Sequence, residues 1–295
     1  MKSFLLEVHN LHKRYRTVDA VNGISFAIPR GICFGLLGPN GAGKTTALEV
    51  IEGIIPPTAG DVLYKGVKIT DSFREEVGIQ FQHTTLLNFM TVRETLLAFQ
   101  SLYRETERLE DLIAICRLDD ILEQMNNKIS GGQAQRFMLA LALVNKPKLI
   151  FLDEPSTGLD PQARRYLWEI IRGIKQQGKT VILTTHSMDE AQYLCDEIAI
   201  MDHGQIIAQG SPTALINRYC KGGTISLPRD NISKRLADLP FQYREVNGRI
   251  EILTDKVNLG IEKLLAMKVD LNEMIVHSPN LEDVFLNLTG RKLRS

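Results

Sequence analysis

The stretch Gly38-Pro39-Asn40-Gly41-Ala42-Gly43-Lys44-Thr45, followed by Thr46, has the spacing G-x-x-x-x-G-K-[ST]. Glycines at its first, fourth and sixth places let successive backbone N–H groups turn inward on phosphate oxygens. The start of the following helix adds a partial positive charge there, and Lys44 adds a full one. The Thr45 hydroxyl suits a hard cation such as Mg²⁺ bound alongside the phosphates. The chemistry implied is binding of the phosphate chain of ATP, with Thr46 continuing the loop into the helix.

Two carboxylates stand at the end of the apolar run Leu149-Ile150-Phe151-Leu152, namely Asp153 and Glu154. Strand ends of this kind are where open α/β sheets place their ligands. Asp153 is therefore expected to hold Mg²⁺ through its water shell, and Glu154, one residue on, to reach the attacking water as general base. A third candidate, Ser130-Gly131-Gly132-Gln133, precedes the apolar stretch Phe137 to Val144. Its Ser-x-x-Gln spacing is a capping box. The two glycines also leave the first N–H groups of the helix open to a phosphate, so a cap and an anion site are both readings of the same residues.

These residues need elements to position them. The first third reads as short strands, Phe4 to Val8, Ile24 to Ile28, Ile32 to Leu37, Asp61 to Tyr64 and Val77 to Phe81, with turns at Pro29-Arg30-Gly31 and Pro56-Pro57. From Thr91 to about Val144 apolar residues recur every three or four positions, as in a helical insertion. Compact apolar strands then return at Leu149 to Leu152 and Val181 to Thr184, separated by a helix from Pro161 to about Gln176. Such runs suit a parallel sheet buried on both faces. Asp202-His203-Gly204 marks a hairpin, and so does Asn247-Gly248 between Tyr243 to Val246 and Arg249 to Leu253. The tail adds a helix at Val257 to Met267, a strand at Glu273 to Val276 and a helix from Asn280 to about Leu288.

Taken in order, the phosphate loop, the Ile129-Ser130-Gly131-Gly132-Gln133 stretch, the acidic strand, Ser156-Thr157-Gly158-Leu159-Asp160 and His186 at the end of the next apolar strand resemble the ATP-binding cassette (ABC) family over residues 1 to 220. The resemblance implies a P-loop NTPase core with an antiparallel β subdomain and a helical subdomain at about 84–146. A small C-terminal α+β domain is expected at 221–295. It also implies that Tyr15 stacks on adenine, that Gln82 senses Mg²⁺ and the attacking water, that His186 contacts the γ-phosphate and that Asp160 lies across a dimer interface. Gln80 rivals Gln82 on the same strand face; Gln82 sits where the strand gives way to the helical insertion. Ile129 stands where the family's signature more often has Leu, a volume-conserving change.

In that family each ATP is held between the loop of one subunit and the signature of another. Ser130 and Gly132, with Gly131 and Gln133, would then serve a nucleotide bound by a second copy of the chain. Hydrolysis is expected to power export through a separate membrane permease, since the tail resembles the C-terminal extension of cassettes from bacterial export systems. No stretch approaches the roughly 18 uninterrupted apolar residues of a spanning helix, and the N-terminus meets Glu7 and His9 too soon for a signal peptide. The expected location is cytoplasmic, peripheral at the membrane through the permease. The segment His83 to Met90 is apolar for a connection and reads either as a docking surface for that permease or as local packing.

Composition narrows the alternatives. With 35 basic and 35 acidic residues the formal charge is zero, so no nucleic-acid partner is expected. The four cysteines, Cys33, Cys116, Cys195 and Cys220, are scattered among apolar neighbours and read as buried free thiols of a reduced compartment. A soluble ATP-gated clamp is the rival class; its relatives usually carry two cassettes or a long coiled coil, and neither is present. A nucleotide kinase would need an acceptor pocket and a basic lid that the sequence does not display.

Overall fold

The computed structural model describes residues 4–82 and 88–290. Two compact units divide between Pro212 and Thr213. The first begins with a long antiparallel ribbon, β1 (Phe4–Tyr15) and β2 (Val18–Pro29), followed by β3 (Cys33–Leu37), α1 (Lys44–Ile51), β4 (Ala59–Tyr64), β5 (Val67–Lys68), α2 (Asp71–Glu76) and β6 (Val77–Gln80). Three helices follow, α3 (Val92–Gln100), α4 (Leu109–Cys116) and α5 (Gly131–Leu143). The unit closes with β7 (Leu149–Asp153), α6 (Pro161–Gln176), β8 (Thr180–Thr185), α7 (Met188–Leu194), β9 (Glu197–Asp202) and β10 (Gln205–Gly210).

Two sheets organise these elements. One is antiparallel, in the order β2-β1-β4-β5; the other runs β10-β9-β3-β8-β7-β6, with parallel pairing throughout except at the β9–β10 hairpin. Every residue of β3, β7 and β8 is buried, which is why they read as unbroken apolar runs instead of alternating ones. β3, β7 and β8 lie side by side, so their carboxyl ends bring residues 38, 153–154 and 185–186 to one edge.

β1 and β2 are 12 residues each, much longer than the short strands expected. Beyond Val8 the ribbon is mostly half-buried or exposed, carries His9, Lys13 and Arg14, and shows register shifts along its length. Apolar alternation is lost there although strand pairing continues. Helix α7, unanticipated, buries Met188, Ala191 and Leu194 on one face.

The second unit contains α8 (Pro212–Tyr219), β11 (Gly223–Pro228), α9 (Arg229–Ile232), a 3₁₀ turn at Ser233–Asp238, β12 (Gln242–Val246), β13 (Arg249–Thr254), α10 (Val257–Ala266), β14 (Ile275–His277) and α11 (Leu281–Thr289). Its sheet, β12-β13-β11-β14, has its own core of Ile225, Leu227, Ile250, Ile252 and Leu264. The last strand starts two residues later than expected. Glu273 is in the left-handed region at φ 57°, and Met274 N–H closes a turn onto the Leu271 carbonyl, so strand geometry cannot begin there. All four cysteines are buried and free.

Candidate active site

β3 runs straight into the glycine loop, and the loop is pinned from two sides. A Cβ on Gly38 would meet the Met201 carbonyl at 2.3 Å, and one on Gly43 (φ 97°) would meet the Ala20 carbonyl at 2.0 Å. Only glycine allows that approach. Gly43 caps α1 without any side-chain acceptor, so the first amides of that helix are left for a ligand, as an anion site requires. Asn40 and Gly41 are exposed, Pro39 is half-buried and Ala42 is buried beneath them; Thr46 is half-buried in the first turn of α1.

Lys44 is 5% exposed, and its ammonium donates to the Gly38 carbonyl at 2.9 Å and the Pro39 carbonyl at 3.2 Å. It also lies 3.8 Å from Glu154 Oε1. Burial pushes the Lys44 pKa down, and the Glu154 and Asp153 carboxylates push it back up. Thr45 Oγ1 is 3.5 Å from Asp153 Oδ1, which also accepts from the Thr184 hydroxyl. Burial raises the Asp153 pKa, the Thr184 bond opposes that, and the Glu154 charge adds to it.

Glu154 stands at the centre. Its backbone is left-handed (φ 48°), held by its N–H donating to the Thr184 carbonyl and hydroxyl, each at 3.1 Å. A non-glycine residue in that region is strained, and such strain recurs at functional sites. The carboxylate, 10% exposed, accepts from Thr157 Oγ1 at 3.0 Å. His186 Nδ1 is 3.2 Å away but makes no hydrogen bond. Gln82 Nε2 reaches Glu154 Oε2 at 3.5 Å. Gln80 points elsewhere: it is buried and donates to Gln135 Oε1.

The signature residues gather separately. Ser130 Oγ accepts from Gln133 N–H at 3.3 Å and Gln133 Oε1 accepts from Ser130 N–H at 2.8 Å, the reciprocal capping box of α5. Gln133 Nε2 continues to Asp120 Oδ2 at 3.0 Å. Asp160 caps α6, accepting from Gln162 and Ala163 N–H, both at 2.9 Å. Ser130, Gly132, Gln133 and Asp160 line one cleft of about 1010 Å³, with Arg136 and Tyr166; Gly131, on the first turn of α5, is exposed. None of Lys44, Thr45, Gln82, Asp153, Glu154 or His186 lines it.

Tyr15 is 45% exposed near the turn of the ribbon, with the Lys13 ammonium 5.1 Å from its ring centroid. It joins neither group. Of the apolar segment after Gln82, residues 83–87 lie outside the described residues, and Phe89 is 75% exposed. Sequence reasoning passed over Thr157 and Thr184, which touch Glu154 and Asp153 directly. Thr184 carried a signal, a hydroxyl near the carboxyl end of an otherwise apolar buried strand.

The donors suit Mg²⁺. Mg²⁺ is commonly bound by one or two carboxylates and a hydroxyl with substrate phosphates completing the shell, not by an all-protein cage. Thr45 and Asp153 supply one hydroxyl and one carboxylate side by side, and among the described residues no group of three or more His, Cys, Asp or Glu side chains forms a cage.

Comparison with known proteins places the chain among relatives by sequence and by fold. The family model described as ABC transporter matches residues 21–157. A model described as AAA domain, putative AbiEii toxin, Type IV TA system matches residues 130–190. The chain is 36% identical over 303 residues to the Nod factor export ATP-binding protein I of a Rhizobium species, covering 99% of each. Among solved structures it is similar to cbiO1 from Clostridium perfringens, part of the ABC transporter complex cbiONQ, with TM-score 0.68, 26% identity, and 80% of this chain and 97% of that one covered. It is also similar to the dimeric post-hydrolysis state of an ATP-binding cassette bound to ADP and Pi, with TM-score 0.63, 25% identity, and 70% and 98% covered.

Proposed function

We propose, for a chain that belongs to the ABC transporter family, that it is the ATP-hydrolysing subunit of an export system and that two copies enclose each ATP between them. The observation that carries the reading is the surround of the Glu154 carboxylate: Lys44, Gln82, Thr157 and His186 all lie against it, beside a loop built for phosphates.

In this reading the Lys44 ammonium leaves the Gly38 and Pro39 carbonyls for phosphate oxygens, where it offsets their charge. The amides opening α1 take the remaining oxygens. Thr45 and Asp153 hold Mg²⁺, which neutralises phosphate charge when bound. Glu154 takes the proton of the attacking water, a role worth about 10²- to 10⁴-fold in rate. Gln82 and His186, already within reach of Glu154, orient the water and stabilise charge on the γ-phosphate. Tyr15 stacks on the base. Ser130, Gly132, Gln133 and Asp160 line a cleft that none of the catalytic group lines, which supports their serving, with Gly131 beside them, a nucleotide on a second copy.

Among the described residues no helix is long and apolar enough to cross a membrane. Cargo would therefore cross through a separate permease, with this subunit peripheral at the cytoplasmic face. Export is favoured over import because a relative matched over 99% of its length is a Nod factor export ATP-binding protein. Residues from 221 onward would form an accessory domain without a catalytic side chain.

Phosphate release from ATP with Mg²⁺, measured across a protein dilution series, tests the reading. Activity per chain should rise with concentration, stop with EDTA and stop in Glu154→Gln, which should still bind ATP and elute as a dimer from size exclusion. A Glu154→Gln monomer in ATP contradicts the shared site. Recovery with an integral membrane protein in detergent supports the transport role; recovery with ribosomes or DNA overturns it.

A further inference from the structure

Glu190, on α7, is 1% exposed and belongs to neither group of site residues. A carboxylate so deeply buried is unfavourable unless donors surround it. Its carboxylate accepts from the Trp168 indole N–H at 2.8 Å, and the Ser156 and Thr185 hydroxyls and the Arg164 charge stabilise its ionised form against the effect of burial. Ser156 and Thr185 are themselves buried, 4% and 2% exposed.

The two hydroxyls occupy corresponding places in the chain. Ser156 immediately precedes Thr157, and Thr185 immediately precedes His186. Thr157 and His186 are two of the groups lying against the Glu154 carboxylate, at 3.0 and 3.2 Å. The Thr185 hydroxyl also accepts from Ser187 N–H at 2.9 Å, and Ser187 Oγ accepts from Glu190 N–H at 3.4 Å. Both residues flanking His186 are thus joined to Glu190: Ser187 by the Glu190 N–H, and Thr185 through Ser187 and through its hydroxyl's stabilisation of the carboxylate. On the other loop, Arg164 donates to the Leu159 carbonyl at 3.3 Å, next to Asp160.

We infer that Glu190 is a positioning residue for hydrolysis: one buried carboxylate ties the Ser156–Thr157 segment to the Thr185–His186 segment and so sets both contacts to Glu154. The inference rests on Glu154 being the base. It gives the loop ending in Asp160 and the loop bearing His186 a common anchor, so that displacement of either is felt at Glu154. A displacement of about 1 Å at such a centre lowers rate by about 100-fold while leaving substrate binding largely intact.

The test compares Ser156→Ala, Thr185→Val, Thr185→Ser and Glu190→Gln with the wild type by steady-state ATP hydrolysis with Mg²⁺. Ser156→Ala and Thr185→Val should each lower kcat by about 10- to 100-fold, with KM for ATP within about twofold. Thr185→Ser keeps the hydroxyl and should recover most of the loss. Trp168 is the only tryptophan in the chain and donates directly to Glu190, so its emission reports the anchor. Emission should shift in Glu190→Gln and remain at the wild-type wavelength in Thr185→Ser. Should Glu190→Gln fail to fold, the Thr185 pair decides alone. Equal kcat in Thr185→Val and the wild type, or an equal fall in Thr185→Val and Thr185→Ser, overturns the role given to Glu190 while leaving the ATPase reading intact. A wild-type chain without turnover overturns both.

Discussion

The two halves of the proposed site are built in opposite ways. Lys44, Asp153 and Glu154 are almost wholly removed from solvent, and each is held by neighbours from its own chain. Ser130, Gly131 and Asp160 are exposed, and the Ser130 and Asp160 side chains are engaged in capping α5 and α6. Desolvation strengthens every charge interaction in the first half, and it shows in the lowered Lys44 pKa and the raised Asp153 pKa. The second half keeps its capped helix starts exposed to solvent. A buried half that carries chemistry and an exposed half that carries only capped helix ends is the division expected if the exposed half works on another molecule's nucleotide.

Removing chemistry from the buried half should have the largest effect. Glu154→Gln is expected to lower kcat by about 10²- to 10⁴-fold with ATP affinity retained, as measured by phosphate release and equilibrium nucleotide binding. Lys44→Ala removes a charged donor to phosphate and should weaken ATP binding by about 2–3 kcal/mol, on the order of 30- to 150-fold, in a titration with fluorescent nucleotide.

The same half holds a third carboxyl, Glu52, 4% exposed, whose pKa burial raises to about 8, with the Asp153 and Glu49 charges adding to the rise. Because the folded value lies above the unfolded one, the protonated form is favoured by folding. Its contribution is complete below about pH 4.5 and is lost as pH rises to about 8. Glu52→Gln should therefore be nearly neutral at pH 5 and stabilising above pH 8, by a few kcal/mol at most at about 1.4 kcal/mol per pK unit. Thermal unfolding at the two pH values checks this; a stability difference independent of pH would contradict it.

The exposed half should respond least in stability. Ser130→Ala removes the α5 cap and is expected to cost about 1 kcal/mol in chemical denaturation. ATP binding to the monomer should be unchanged, while turnover at high protein concentration falls. Equal losses of binding and turnover would erase the distinction between the halves.

What the sequence makes legible follows the same line. The loop Gly38–Thr46, the Asp153–Glu154 pair and the Ser130–Gln133 box stand out because backbone geometry dictates residue type at each place. Helix α6 was readable at both ends, from Asp160-Pro161 at its start to Gln176. Gln82 is distinguished from Gln80 by its place where the strand gives way to the next segment, and it is the one near Glu154. Elements defined by pairing alone were harder to read. β11, one of two interior strands of the second unit's sheet, begins with glycine, ends with proline and buries Ser226, so its sequence resembles a linker. The ribbon β1–β2 outruns its apolar pattern. Glu190 reads as an ordinary helix acid, and only its burial against Trp168 reveals it as interior. The contact to Glu154 from His186 depends on two loops meeting, which no local spacing records.

The shared site is tested most directly by complementation. Glu154→Gln destroys the buried half, and Ser130→Phe blocks the exposed half while leaving the buried half whole. Each variant alone should be nearly inactive in ATP hydrolysis. Mixed in equal amounts, they form heterodimers in which one site pairs the intact buried half of the Ser130→Phe chain with the intact signature of the Glu154→Gln chain. The account predicts that the mixture regains hydrolysis neither variant shows alone. A mixture no more active than the sum of its parts, or a Ser130→Phe chain fully active by itself, would contradict it.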